Sequence, residues 1–269
     1  MILVNGAESD VISAGDRGLL YGDGVFRTFR ADGGVVRNWE RQYKKLEGDC
    51  GRLALKPPER SAIETDLARV LEAAPDAVIK IVITRGAGAR GYAPNTHGLP
   101  TRMVMTTPLP DSPVEWLHGV KVRLCDVKLA TQPRLAGVKH LNRLENVLAR
   151  SEWQGTDYAE GLMLDFDGNV IEGTMTNIFA RTNGVLMTPD LSRCGVAGVQ
   201  RDRVLDYARS RKIPIRIADM KLDDFLAADE VFLTNSVIGV WRVCELEKKA
   251  WQESGFTSTI RDALQGDEV

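Results

Sequence analysis

No apolar run in the 269-residue sequence approaches the roughly 20 residues that cross a bilayer, so no membrane-spanning helix is expected. Charge of one sign is also lacking. The 35 Lys and Arg nearly balance 37 Asp and Glu, leaving −2 with no basic or acidic block, which gives nucleic-acid or membrane-surface binding no electrostatic support. Histidine and cysteine are sparse. His97, His118 and His140 are dispersed, and Cys50, Cys125, Cys194 and Cys244 show neither a CxxC pair nor metal-ligand spacing. No metal site is expected, and the thiols are read as buried and reduced. Tandem repeats and low-complexity tracts are absent. The opening Met1-Ile2-Leu3-Val4-Asn5-Gly6 is too short for an export signal and is expected to begin a strand. What is present is ordinary: 43% hydrophobic and 27% charged residues describe a globular chain. A cytoplasmic protein acting on a small molecule is the expectation.

Turn chemistry organises what is there. Asn5-Gly6, Asp32-Gly33-Gly34, Asp167-Gly168 and Asn183-Gly184 each sit between alternating apolar segments, the pattern of β-hairpins. Asp16 to Gly24 reads as a glycine-punctuated loop ahead of a strand from Val25 to Arg30. Helical spacing over 39–53, 61–71, 200–210 and 257–264 predicts helices, and 77–84, 101–107, 120–125, 231–234 and 237–243 read as further strands. Leu109-Pro110-Asp111-Ser112-Pro113 is the best linker. The expected architecture is α+β in two domains, a small one over 1–113 and a larger one over 114–269. Leu141, Leu144, Val147 and Leu148 recur at helical spacing, so a helix with one buried face is expected there, with Lys139 just ahead of it.

Three kinds of residue are candidates for chemistry. A lysine attacks a carbonyl only when its amine is neutral, which requires desolvation or a neighbouring cation, and Lys139 stands where loop turns into helix. Glu172 follows a hairpin turn and opens Glu172-Gly173-Thr174-Met175-Thr176-Asn177. Alone it would be a solvated carboxylate. Gly195-Val196-Ala197-Gly198-Val199-Gln200-Arg201 enters a predicted helix, whose first amides suit an anion.

Together, Gly22-Asp23-Gly24, Lys139-His140-Leu141-Asn142-Arg143-Leu144-Glu145 and Glu172 to Asn177 resemble the fold-type IV pyridoxal-phosphate enzymes. That group holds branched-chain and D-amino acid aminotransferases and 4-amino-4-deoxychorismate lyase, and the lysine string is most similar to the lyase. The resemblance implies pyridoxal 5'-phosphate in a cleft between two domains of a homodimer, linked to Lys139. It places Glu172 at the pyridine nitrogen, where a carboxylate keeps the electron sink protonated, and counts Asn177, at the end of the same string, among the cofactor-binding residues. It assigns the phosphate to the amides of Val199 and Gln200 and the hydroxyl of Ser236. Lys45 stands where the family usually has a phosphate-binding arginine, a point charge in place of a bidentate fork. Phe26 is implied to face the cofactor. Arg85 to Tyr92, carrying Arg90 and Tyr92, is either a polar surface turn or a mobile loop that reaches an active site.

The implied activity is conversion of 4-amino-4-deoxychorismate to 4-aminobenzoate and pyruvate for folate synthesis. An aminotransferase of the same fold and a catalytically silent binding protein are the alternatives. Arg143 bears on the choice. Four residues after Lys139, it is expected on nearly the same helical face, suited to a substrate carboxylate at a point where D-amino acid aminotransferases carry an apolar residue. Pairing with Glu47 or Asp165 is the structural alternative.

Overall fold

The computed structural model describes residues 1–94 and 98–266. His97 lies outside them. The chain folds into two compact units, Met1–Pro110 with Val138–Asn142, and Asp111–Gly137 with Arg143–Val269. The short return of 138–142 to the first unit was not legible in the sequence, because it depends on pairing across more than a hundred residues.

The first unit holds β1 (Ile2–Val4), β2 (Ala7–Glu8), α1 (Arg17–Tyr21), β3 (Gly24–Asp32), β4 (Val35–Val36), α2 (Trp39–Arg52), α3 (Arg60–Ala73), β5 (Ala77–Thr84) and β6 (Thr101–Thr107). Its sheet is antiparallel in the order β2-β1-β6-β5-β3-β4. Asn5 and Gly6 both take positive φ (50° and 86°), as a two-residue type I′ hairpin requires. Alternation along β3 buries Val25, Arg27, Phe29 and Ala31 and leaves Phe26 and Thr28 half-buried on the other face. The buried aliphatics join Leu46 and Cys50 of α2 and Ile63, Leu67 and Val70 of α3 in one core.

The Asp16 loop contains a helix that the sequence pattern did not show. Asp16 caps α1 by accepting from Gly18 N at 2.7 Å, and Gly22 closes it with φ +64°. Five residues are too few to display a helical apolar stripe, so only the caps betray it.

The second unit holds β7 (Val120–Leu124), α4 (Leu144–Arg150), β8 (Glu160–Leu164), β9 (Val170–Gly173), β10 (Asn177–Thr182), β11 (Val185–Pro189), α5 (Val199–Ser210), β12 (Ile215–Ala218), α6 (Leu222–Leu226), β13 (Glu230–Asn235), β14 (Gly239–Leu246), β15 (Lys249–Ala250) and α7 (Phe256–Gly266). Its mixed sheet runs β12-β11-β10-β13-β14-β7-β8-β9, with β15 on β14. β11–β12, β14–β7 and β7–β8 are parallel and the other pairs antiparallel. Strands β8 and β9 are buried throughout, Glu160 and Glu172 included. Both units are α+β.

Helix α4 corrects one expectation. It begins at Leu144, after Leu141, and Leu144, Val147 and Leu148 are 75%, 56% and 59% exposed within this chain. Its buried residue is Ala149.

Asp16 holds more than a cap. Its carboxylate is 1% exposed and also accepts from Thr84 Oγ1 at 2.9 Å and Thr101 Oγ1 at 2.6 Å, tying α1 to the ends of β5 and β6. Asp16→Ala leaves three donors without this acceptor and is expected to lower unfolding free energy by roughly 2–4 kcal/mol in urea titration. A loss below about 0.5 kcal/mol would contradict this role.

Candidate active site

The candidate side chains fall into two groups, one in each unit. In the first unit the lysine segment is extended. Phe26 N donates to Lys139 O at 2.9 Å, Leu141 N donates to Gly24 O at 3.0 Å, and Val25 and His140 form an antiparallel bridge. Residues 138–142 thus add to the edge of β3 near Gly24. The lysine's own amide donates to Asp49 Oδ2 at 3.1 Å. Asp49 is a buried residue of α2, and it is paired with the buried guanidinium of Arg27. Lys139 is therefore held by its backbone, while its Nζ lies 4.5 Å from the centroid of the Phe26 ring. Lys80 Nζ lies 5.2 Å from the same ring.

The glycines of Gly22-Asp23-Gly24 are set by this packing. A Cβ on Gly22 would stand 2.5 Å from Asn142 Oδ1, and one on Gly24 would stand 2.5 Å from Ile83 O and 2.8 Å from Leu141 Cδ1. Asn142 Nδ2 in turn donates to Gly22 O at 3.1 Å. Asp23 accepts from Arg17 at 2.9 Å and from Arg85 at 2.8 Å. Burial alone would raise its carboxyl, but the hydrogen bonds from Arg85 and Arg17 bring it below the ordinary value.

This network changes the reading of the Arg85–Tyr92 segment. Arg85 is a brace, since its guanidinium also donates to Leu53 O and Ala54 O, both at 2.8 Å. Arg17 donates to Gly91 O at 2.8 Å and Tyr92 O at 3.0 Å, and the Tyr21 and Tyr92 rings are 5.4 Å apart. The segment is tethered at both ends, and Arg90 and Tyr92 project from it as exposed side chains. Lys45 is half-buried on α2, one turn before Asp49, and its carbonyl accepts from Arg27.

The second unit gathers Glu172, Asn177 and the loop that starts α5. Glu172 is 3% exposed, and its Oε2 accepts from Val196 N at 2.7 Å. Asn177 donates through Nδ2 to Val196 O at 2.7 Å and accepts from Gly198 N at 3.1 Å. One peptide segment is gripped on both sides. The glycines permit it: a Cβ on Gly198 would stand 2.4 Å from Asn177 Oδ1, and Gly195 has φ +82° with its Cβ position 2.8 Å from Ile171 and Leu191 side-chain atoms. Gly137 pairs with the same loop, donating to Gly195 O at 2.8 Å and accepting from Ala197 N at 3.0 Å.

Beyond the grip, Gly198 caps α5, whose first i→i−4 bond runs from Asp202 N to Gly198 O. The amides of Val199 and Gln200 lie ahead of that bond, at the positive end of the helix. The Gln200 side chain accepts from Arg203 at 2.8 Å. Ser236 lies in the turn between β13 and β14, where Asn235 Oδ1 accepts from Val237 N at 2.8 Å and Ile238 N at 2.9 Å.

Arg143 does not share a helical face with Lys139. Residues 138–142 are extended, and Arg143 is the N-cap residue of α4, half-buried. Sequence reasoning missed Asp49, Lys80 and Glu160. Asp49 stands four residues after Lys45 on one helix and Glu160 heads Glu160-Gly-Leu-Met-Leu, but neither position forms a pattern in the sequence. Among the described residues no group of three His, Cys, Asp or Glu is arranged to hold a metal.

The family model described as amino-transferase class IV matches residues 24–246. Over 242 residues the chain is 37% identical to an aminodeoxychorismate lyase of Vibrio harveyi, covering 89% of each protein. It is 34% identical over 241 residues to a putative branched-chain-amino-acid aminotransferase of Methanocaldococcus jannaschii, covering 88% of this chain and 83% of that one. A crystal structure of 4-amino-4-deoxychorismate lyase from Pseudomonas aeruginosa superposes with a TM-score of 0.95 at 42% identity, covering 99% of both chains. The two groups of side chains thus sit in a fold and a sequence shared with these enzymes, and the chain belongs to the class IV aminotransferase family.

Proposed function

We propose that this protein is a pyridoxal-phosphate-dependent aminodeoxychorismate lyase, which converts 4-amino-4-deoxychorismate to 4-aminobenzoate and pyruvate in folate biosynthesis. The observation that carries the reading is the match at 42% identity and TM-score 0.95 to a lyase over 99% of the chain.

The chemistry of the candidate donors suits the cofactor. Glu172 supplies a buried carboxylate for a protonated ring nitrogen. The first amides of α5 at Val199 and Gln200, with Ser236 and Lys45, supply neutral and cationic partners for a phosphate. Asn177 holds the loop that presents those amides. Lys139 supplies the amine for the aldehyde. When bound, pyridoxal phosphate serves as an electron sink for the carbon that bears the substrate's amine.

The chain's own residues do the rest. Lys139 Nζ takes the proton from the amine-bearing carbon and delivers one to the enolpyruvyl methylene. Protonation there breaks the ring carbon–oxygen bond, pyruvate leaves, and the ring becomes aromatic. Backbone anchoring of Lys139 through Asp49 and Phe26 fixes its main chain. We assign Phe26, Arg90, Tyr92 and Arg143 to the substrate. The Phe26 ring lies against Lys139 Nζ, and the arginines suit a substrate with two carboxylates.

A homodimer completes this reading. The exposed Leu144, Val147 and Leu148 on one helix form an apolar surface of the kind subunit interfaces cover, and Leu19 and Leu20 are exposed likewise. The four cysteines carry no disulfide, which supports a reducing, cytoplasmic setting.

Three measurements test the proposal. Purified protein loaded with pyridoxal phosphate should release 4-aminobenzoate and pyruvate from 4-amino-4-deoxychorismate with no keto-acid acceptor present. Strict dependence on such an acceptor would make it an aminotransferase instead. Borohydride treatment of the loaded protein should fix the cofactor to the peptide containing Lys139, and recovery on Lys45, Lys80 or Lys128 would overturn that assignment. Sedimentation should show a dimer at micromolar concentration that Leu148→Asp shifts toward monomer, whereas a monomeric wild-type protein contradicts the dimer.

A further inference from the structure

Glu160 is 0% exposed at the head of β8, a strand whose every residue is buried. A carboxylate in such a place is costly unless its oxygens are satisfied. Here five donors satisfy them, and four come from one turn. Oε1 accepts from Gly161 N at 2.9 Å, Thr174 N at 3.0 Å and the Thr174 hydroxyl. Oε2 accepts from Met175 N at 3.1 Å and Thr176 Oγ1 at 2.9 Å. Among the described residues no basic side chain pairs with it. Its bonds are spent on holding Thr174-Met175-Thr176.

That turn joins the two residues that grip Val196. Glu172 and Gly173 end β9 just before it, and Asn177 begins β10 just after it. The turn is closed by Gly173 N donating to Thr176 O at 2.8 Å. Gly173 is required for the closeness, because a Cβ there would stand 2.2 Å from Thr176 Oγ1 and 2.8 Å from Glu160 Cδ. Glu172 and Asn177 then take the N–H and the C=O of the same residue, both at 2.7 Å. The spacing of the two grips is set by the turn, and the turn is set by Glu160.

We propose that Glu160 is a positioning residue for the cofactor, fixing through the 174–176 turn the orientation of the Glu172 carboxylate and of the loop that enters α5. The inference rests on the assignment of Glu172 to the cofactor's ring nitrogen. Burial raises the Glu160 carboxyl while the Thr174, Gly161, Met175 and Thr176 donors oppose that rise, so the turn and the carboxylate hold each other. A glutamine of the same shape would offer these donors one acceptor oxygen and turn an NH2 toward the others. One side of the turn would be released.

The test uses three variants of the full-length protein, Glu160→Gln, Thr176→Val and Glu172→Gln. Two readouts apply, the apparent Kd of pyridoxal phosphate from quenching of tryptophan fluorescence and the pH dependence of the bound cofactor's visible absorption. Glu160→Gln should weaken cofactor binding by about tenfold, the scale of one lost hydrogen bond to a charged group. It should also move the absorption–pH curve in the same direction as Glu172→Gln. Thr176→Val, which removes one donor and keeps the carboxylate, should give a smaller shift of the same sign and carries the test alone if Glu160→Gln does not fold. Curves for Glu160→Gln and Thr176→Val that superimpose on wild type, beside a shifted Glu172→Gln curve, overturn the positioning role and leave the cofactor assignment standing. A Glu172→Gln curve identical to wild type overturns the cofactor assignment itself, and the positioning role with it.

Discussion

The grip on Val196 is the constraint on which the arrangement of the second unit's candidate residues depends. A carboxylate and a carboxamide, from the end of one strand and the start of the next, hold the two polar groups of one peptide segment. The consequences spread in three directions. Glu172 is buried, and its Oε2 accepts from Val196 N. The loop leads into α5 with Gly198 as its cap, and the first amides of the helix lie ahead of its first i→i−4 bond. Gly195 and Gly198 become obligatory, because a side chain at either would strike its neighbours. The Gly-rich string, the Glu-Gly-x-x-x-Asn string and the start of α5 are one device.

In the first unit the backbone of Lys139 is what is fixed. Backbone pairing with β3 and the Asp49 acceptor hold Lys139 beside an isolated bridge ahead of α4. Asp49 is itself secured by Arg27, from the buried face of β3. Phe26, on the opposite face of the same strand, supplies a π surface beside the ammonium. Alternation along one strand therefore provides both the anchor and the floor. The same economy explains Asp23, whose two arginine partners brace the Gly22-Asp23-Gly24 turn and the segment bearing Arg90.

Most of the element order was legible because local rules dominate it. Asn-Gly and Asp-Gly turns with positive φ mark the hairpins, and a 3.6-residue stripe marks α2, α3, α5 and α7. The failures share a cause, which is dependence on partners distant in sequence. Helix α1 is known by its cap contacts with strands about 70 residues away, and Arg85 is a brace because of Leu53 and Ala54. The apolar spacing of α4 was visible, but spacing does not tell a face buried in the chain from one left exposed on it. Lys139 and Glu172 stood out through the motifs around them. Glu160 and Asp49 did not, since a single acid in a strand or helix carries no pattern until its donors are seen.

Both the lyase and the aminotransferase readings require a carboxylate that keeps the cofactor's ring nitrogen protonated, and the proposal assigns that role to Glu172, which is buried and accepts from Val196 N. The most direct test is the 15N chemical shift of pyridoxal phosphate labelled at the pyridine nitrogen and bound to the wild-type protein and to Glu172→Gln. A pyridinium shift in the wild type that reverts to that of the unprotonated ring in the variant is the predicted result. An unprotonated nitrogen in the wild type, or the same shift in both proteins, would contradict the account.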